Sequence, residues 1–317
     1  MVLTMTPNEE IKVEKIEYKG WSNCWRVSND EVELVVTGDV GPRIIRYGFI
    51  GGQNLFKEFP DQLGKSGERE LQLRGGDRVW KAPEDSIASW SPDNEPVEIT
   101  TSAAGLVATS PIDPRTNLQK VIEVALEPVG SRVRVSHRIV NRSLFALQFS
   151  AWALTMMAQG GTAVTAFPAR GKHPENLEPT NPLVMWAYTD LSDKRFSFTR
   201  KYLVLRQDPT NKAPDKVGLF SSLTWAAYML DNEAFVKLAE ADPRKQYPDF
   251  GCSFEMFTND ECLELETLGP LAPVAPGEAA EQVETWSLFR NVVLHEISDA
   301  ELDLAILPLI EASRPEH

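Results

Sequence analysis

Cys262-Leu263-Glu264-Leu265-Glu266-Thr267-Leu268-Gly269-Pro270-Leu271 alternates with a period of two. Leu263, Leu265 and Thr267 fall on one face, Glu264, Glu266 and Leu268 on the other. That period belongs to a half-buried β-strand, and Gly269-Pro270 ends it. Two carboxylates on one face, just ahead of an abrupt turn, can stand in a cleft. The plainer reading is a pair of solvated strand charges.

The same pattern extends in both directions. Cys252 to Phe257 and Cys262 to Leu268 read as a hairpin about Asn259-Asp260, and Pro276-Gly277-Glu278 turns into a strand over Glu281 to Phe289. Lys216 to Tyr228 and Ala234 to Glu240 read as another hairpin, about Asp231-Asn232. Phe145 to Met157 is a long apolar run that reads as buried strand. In Ser131 to Asn141, Val133, Val135, His137 and Ile139 share a face against Arg132, Arg134, Ser136 and Arg138. His137 therefore points inward, either as a satisfied core residue or as a cleft acid. Upstream strands are expected over Glu31 to Thr37, Arg43 to Ile50, Val97 to Thr101, Gly105 to Thr109 and Leu118 to Leu126. Gly51-Gly52 is expected to make a hairpin ahead of Asn54-Leu55-Phe56. Only the tail reads as helix: Ser298-Asp299-Ala300-Glu301 is a capping box before Leu302, Leu304, Ala305 and Leu309. Many short strands with Gly and Pro turns point to an all-β sandwich or barrel. With no linker or shift of composition, residues 1–317 read as a single domain.

A net charge of −14 argues against nucleic acid as a partner, since phosphate binding needs an excess of Lys and Arg on one face. No apolar run reaches the roughly 20 residues of a membrane helix. Met1 to Glu10 lacks the pattern of a signal peptide. Cys24, Cys252 and Cys262 have no metal-ligand spacing, and this suggests reduced thiols in a cytoplasmic protein. His137, His173, His295 and His317 are scattered, so neither a metal nor a cofactor is expected. The phrase Arg74-Gly75-Gly76-Asp77-Arg78-Val79-Trp80-Lys81-Ala82-Pro83-Glu84 sets charges and a Trp around two glycines that permit close backbone approach. Pro168 to Pro182 is a polar loop carrying Arg170, Lys172 and His173.

Taken in order, four of these phrases resemble the galactose mutarotase-like (aldose 1-epimerase) superfamily. They are Gly41-Pro42-Arg43-Ile44-Ile45 through Gly51-Gly52-Gln53-Asn54-Leu55, Leu73-Arg74-Gly75-Gly76, Leu265-Glu266-Thr267, and Leu271 to Leu288. The resemblance implies an antiparallel β-supersandwich, here with a short C-terminal helix, and a sugar cleft on its concave face. It implies Glu266 as the base that takes the proton of the anomeric hydroxyl. The acid that should protonate the ring oxygen is absent. Arg74 stands where the family has a histidine before Gly-Gly, and no histidine falls near Ser150 to Leu154. An arginine stays protonated and cannot serve. The candidates are His137, Glu84, Lys81 and His173, in that order. Arg43, Arg74 and Arg78 are expected around the cleft, where they would suit an anionic sugar derivative, and Trp80 is expected to stack on the ring. The resemblance thus points to an isomerase acting on the anomeric centre of a small carbohydrate. One alternative is a carbohydrate-binding or sensing protein that lost the acid. Another is a hydrolase or lyase with Glu84 facing Glu266 across about 5–9 Å. The oligomeric state is not legible.

Overall fold

The computed structural model describes residues 10–315. The described chain forms two large antiparallel sheets, one of eleven strands and one of ten. In the first sheet the central order is Ile44–Phe49, Gly76–Ala82, Leu147–Met157, Leu263–Leu268, Phe254–Thr258, Asp215–Leu219. In the second it is Leu223–Leu230, Glu233–Glu240, Ala279–Arg290, Val133–Asn141, Leu118–Leu126. This is the all-β sandwich expected, and Cys262 to Leu268 pairs with its predicted hairpin partner.

The sandwich closes because each strand buries its alternate residues against the facing sheet. Leu263, Leu265, Val79, Ala151 and Met157 of the first sheet meet Val133, Val135, Phe235, Trp286 and Leu288 of the second. At the centre an aromatic knot joins Phe56, Tyr47, Phe235 and Trp286, with Phe56 edge-on to Trp286 at 5.5 Å. Such aromatic pairs add about 1 kcal/mol each beyond the area they bury.

Charged groups also sit between the sheets, and they are paired. His137 Nε2 lies 2.6 Å from Asp77 Oδ2, and Thr155 Oγ1 donates to Asp77 Oδ1 at 2.7 Å. Lys237 Nζ lies 2.9 Å from Glu284 Oε1, and the Trp286 indole donates to Glu284 Oε2. Burial alone would depress the His137 pKa. The Asp77 carboxylate, aided by Glu284, outweighs it and the net shift is upward.

Several sequence expectations need correction. The span Lys216 to Tyr228 is two strands in different sheets, Asp215–Leu219 and Leu223–Leu230. The inward set changes phase from Val217 and Leu219 to Ala226 and Tyr228, which marks the crossover. Asn54-Leu55-Phe56 makes no strand. The Asn54 amide instead bonds the Tyr47 and Ile45 backbone, and only Phe56 forms a bridge. The opening hairpin Lys12–Tyr18 and Trp21–Ser28 went unread because its exposed strand carries few apolar residues. The tail holds two short helices, Asp299–Ala305 and Leu307–Ala312. Ser298 accepts from the Glu301 N–H as a cap should, while Glu301 takes the His295 N–H. Leu302, Ile306 and Ile310 cover Trp225, Val236 and Leu238 on the outer face of the second sheet. His317 lies outside the described residues.

The raised pKa of His137 makes the Asp77 pair a pH-dependent contribution to stability. It is fully present below the unfolded value of about 6.5 and is lost as pH rises through the folded value. Urea denaturation of wild type and His137→Ala at pH 5.5 and 8.5 should show the larger difference at pH 5.5. Breaking a fully buried pair of this kind costs about 3 kcal/mol.

Candidate active site

The outer face of the first sheet is built by strand register. Arg78 stands opposite Leu154, Leu154 opposite Glu266, and Glu266 opposite Glu255. One step along, Met156 pairs with Glu264, Glu264 with Phe257, and Phe257 with Lys216. One step the other way, Trp80 pairs with Trp152, edge-on at 5.7 Å. Alternation therefore brings charged and aromatic side chains from five strands to one patch. The strand of Gly76–Ala82 reaches it only because Gly75 and Gly76 adopt positive φ, 91° and 70°. A Cβ at Gly75 would lie 1.9 Å from the Lys57 carbonyl oxygen, and one at Gly76 2.3 Å from that of Ile44.

A cavity of about 350 Å³ opens above this patch, walled by Arg78, Trp80, Glu84, Trp90, Trp152, Tyr188, Lys216 and Glu264. That size and aromatic lining suit a small ligand. Two like charges directly opposite on neighbouring strands repel, as Glu255 and Glu266 would. The Lys216 ammonium resolves the conflict, 2.7 Å from Glu255 Oε2 and 2.8 Å from Glu266 Oε2. It is also held 4.6 Å from the ring centres of both Trp152 and Trp186. The Trp152 indole donates to Glu266 Oε2 at 2.8 Å. Burial would push the Lys216 pKa down, but Glu266 and Glu255 drive it well above the ordinary lysine value. Glu255 goes well above the carboxylate range, through burial first and then Glu266 and Asp249, with Lys216 opposing. Glu264 is pushed up to about 7 by burial, with Glu266 reinforcing and the Arg78 guanidinium opposing from 3.3 Å. Buried polar atoms without a hydrogen-bond partner among the described residues here include Glu266 Oε1, an acceptor, Trp80 Nε1 and Arg78 Nε, both donors, and Glu255 Oε1.

The structure brings together only some of the residues singled out in the sequence. Arg78, Trp80 and Glu84 line the cavity, and Glu266 lies fully buried directly beside its Lys216 floor. Arg43 and Arg74 do not line it. Arg43 donates to the Leu73 and Gly75 carbonyls and pairs with Asp93 at 3.0 Å. Arg74 donates to the Gln62 and Lys65 carbonyls, to Asn94 and to Glu68. Both guanidiniums are wholly enclosed and brace the segment that carries the glycines. Lys81 turns to Asp85 at 2.6 Å, away from the cavity. His137 is enclosed between the sheets, and His173 sits exposed in the 168–182 loop. The expected basic cleft is thus corrected: carboxylates outnumber cations there.

Sequence reading missed Lys216, Glu255, Glu264, Trp152 and Tyr188 as site residues. Glu255 was within reach, because the hairpin about Asn259-Asp260 sets it across from Glu266. Nothing local announced Lys216 or Tyr188, which come from strands and loops remote in the chain. Among the described residues, one group has metal-ligand chemistry: Asp77, His137 and Glu284, with ligand atoms within 4.8 Å of one another. It lies between the sheets, and Lys237 already supplies a positive charge to Glu284.

No family model matches the chain, and no curated protein matches it. Solved structures do. A candidate aldose 1-epimerase from Klebsiella pneumoniae superposes with a TM-score of 0.57 at 10% identity, over 97% of this chain and 88% of that one. The Slr1438 protein from Synechocystis gives 0.55 at 12% identity, over 92% and 99%. A galactose mutarotase-like protein from Lactobacillus casei gives 0.54 at 8% identity, over 84% and 100%. Likeness at these identities establishes the fold and leaves the chemistry to the site itself.

Lys216→Met removes the one cation between two buried carboxylates. It should cost about 3 kcal/mol or more in denaturant titrations at pH 8. The loss should shrink at pH 5, where the carboxyls are free to protonate.

Proposed function

We propose that this chain, which has the galactose mutarotase-like fold, is a carbohydrate-cleft isomerase of the aldose 1-epimerase type. One observation carries the reading. Glu264 and Glu266 stand two residues apart on the cavity side of a single strand, Glu264 beside Arg78 and Glu266 held by Lys216 and Trp152. Their Cα atoms are about 7 Å apart by strand geometry. Glu264, pushed up to about 7 by burial, lines the cavity. Glu266 is held by a fixed ammonium and an indole N–H, and its second oxygen is free to accept. Carboxyl groups in unlike environments divide the roles of acid and base.

In this reading Glu266 Oε1 takes the proton from the anomeric hydroxyl while Glu264 gives one to the ring oxygen. The bond from C1 to the ring oxygen breaks and the open-chain aldehyde forms. Rotation about C1–C2 and the reverse transfers close the ring on the other face, and both carboxyls return to their starting states. Trp80 and Trp152 offer apolar walls to the sugar, and the Trp80 N–H, with no protein partner, offers a donor to one of its oxygens. Glu264 takes the post for which His137, Glu84, Lys81 and His173 were the sequence candidates.

The complete enclosure of Glu266 favours a second reading, a carbohydrate-binding protein without turnover. Exchange NMR of anomer interconversion over a panel of hexoses separates the two. The isomerase reading expects acceleration by wild type and a loss of about 10²-fold or more in Glu266→Gln and in Glu264→Gln. Because the acid must be protonated, the wild-type rate should fall as pH rises through about 7. That limb should vanish in Glu264→Gln. Saturable binding with no acceleration at any pH overturns the isomerase reading and leaves the binding one.

A further inference from the structure

Resting on the sugar-cleft reading above, we propose that the cleft selects a sugar bearing a protonated amine. The argument starts from how this cavity treats cations. Twice, the protein places one of its own against an indole face and a carboxylate. Lys216 sits between Trp152 and Trp186 with Glu255 and Glu266. Arg78 lies 4.2 Å over the ring of Trp80 with Glu264 beside it. Both cations are buried, and each is paired with a carboxyl group.

A third niche has the same elements and no protein cation. Glu84 lines the cavity, is exposed, and has no ion-pair partner among the described residues. Its Oε1 accepts the Trp90 indole N–H at 2.8 Å, which sets carboxylate and aromatic ring side by side. Tyr188 lines the same cavity, close enough that the Glu84 charge helps raise its pKa. Trp90 and Tyr188 are half exposed, at 50% and 43%, so their faces are open to a ligand. A carboxylate flanked by aromatic rings is the chemistry that recognises an ammonium group.

Charge balance points the same way. Lys216 already stands between two carboxyl groups and Arg78 already donates to Glu264, so an acidic sugar would find no cation there without a carboxyl partner. An amine of a hexosamine placed near Glu84 would supply the missing charge, while a neutral hydroxyl there would leave it uncompensated. Acetylation of the amine removes the charge and should remove the preference.

The test is isothermal titration at pH 6 with glucosamine and galactosamine, their neutral parents, their N-acetyl forms and glucuronic acid. At least one free amine should bind about tenfold more tightly than its parent, and the acid most weakly. Glu84→Gln, an exposed substitution, should bring amine and parent within about twofold of each other, and Trp90→Ala should weaken the amine selectively. Equal or tighter binding of the neutral parents overturns this inference and leaves the sugar cleft standing. Retention of the full amine preference in Glu84→Gln also overturns it. Failure of every sugar in the panel to bind overturns the sugar-cleft reading and this inference together.

Discussion

A single ammonium group, that of Lys216, permits the outer face of the first sheet to exist as it does. Strand register fixes Glu255 directly opposite Glu266, and both side chains are almost wholly removed from water. Two adjacent buried carboxylates would force apart the strands that carry them or take up protons. Lys216 arrives from the next strand but one, within 2.8 Å of each, and Trp152 and Trp186 hold it from either side. The long pairing of Leu147–Met157 with Leu263–Leu268 places the Trp152 indole where it can bond Glu266 as well. Charge, register and aromatic packing are therefore one arrangement. Its consequence falls on Glu264: Glu266 is held in place by its partners, and burial together with the nearby Glu266 charge lifts Glu264 to about 7.

Buried charge serves elsewhere in the molecule as a strut. Arg43 and Arg74 reach into the bends around Gln62, Lys65 and Leu73 and satisfy carbonyls that no strand partner serves. That bracing holds Gly75 and Gly76 against the Lys57 and Ile44 backbones, where any side chain would collide. The Arg78-Val79-Trp80 run then enters the sheet in a phase that turns Arg78 and Trp80 to the cleft and Asp77 to His137. The two arginines expected to greet a ligand shape the wall instead.

The sequence carried the architecture well wherever one face of a strand is buried and the other is not. The Leu263, Leu265, Thr267 alternation, the Val133 to Ile139 face and the Asp231-Asn232 turn are all present, the last with both residues at positive φ (48° and 63°). The pattern faltered at Lys216 to Tyr228, where only the short Phe220-Ser221-Ser222 link marks a crossover between sheets. It faltered also at Lys12–Tyr18, whose strand is mostly exposed.

By itself, then, the chain's order of residues determined an all-β sandwich, the orientation of Glu264 and Glu266 toward one face, and a candidate cleft on that face. These depend on local periodicity, which a sheet converts into facing through the two-residue repeat of the strand. Tertiary structure alone decided which charges share that face. His137 faces inward as its strand predicts, but inward proves to be the space between the sheets. Lys216, Glu255, Trp152 and Tyr188 meet at the outer cavity from widely separated parts of the chain. The sign of the cleft, basic by inspection of the sequence and acidic in the fold, was set the same way, because a charge's environment depends on neighbours that only strand pairing assembles.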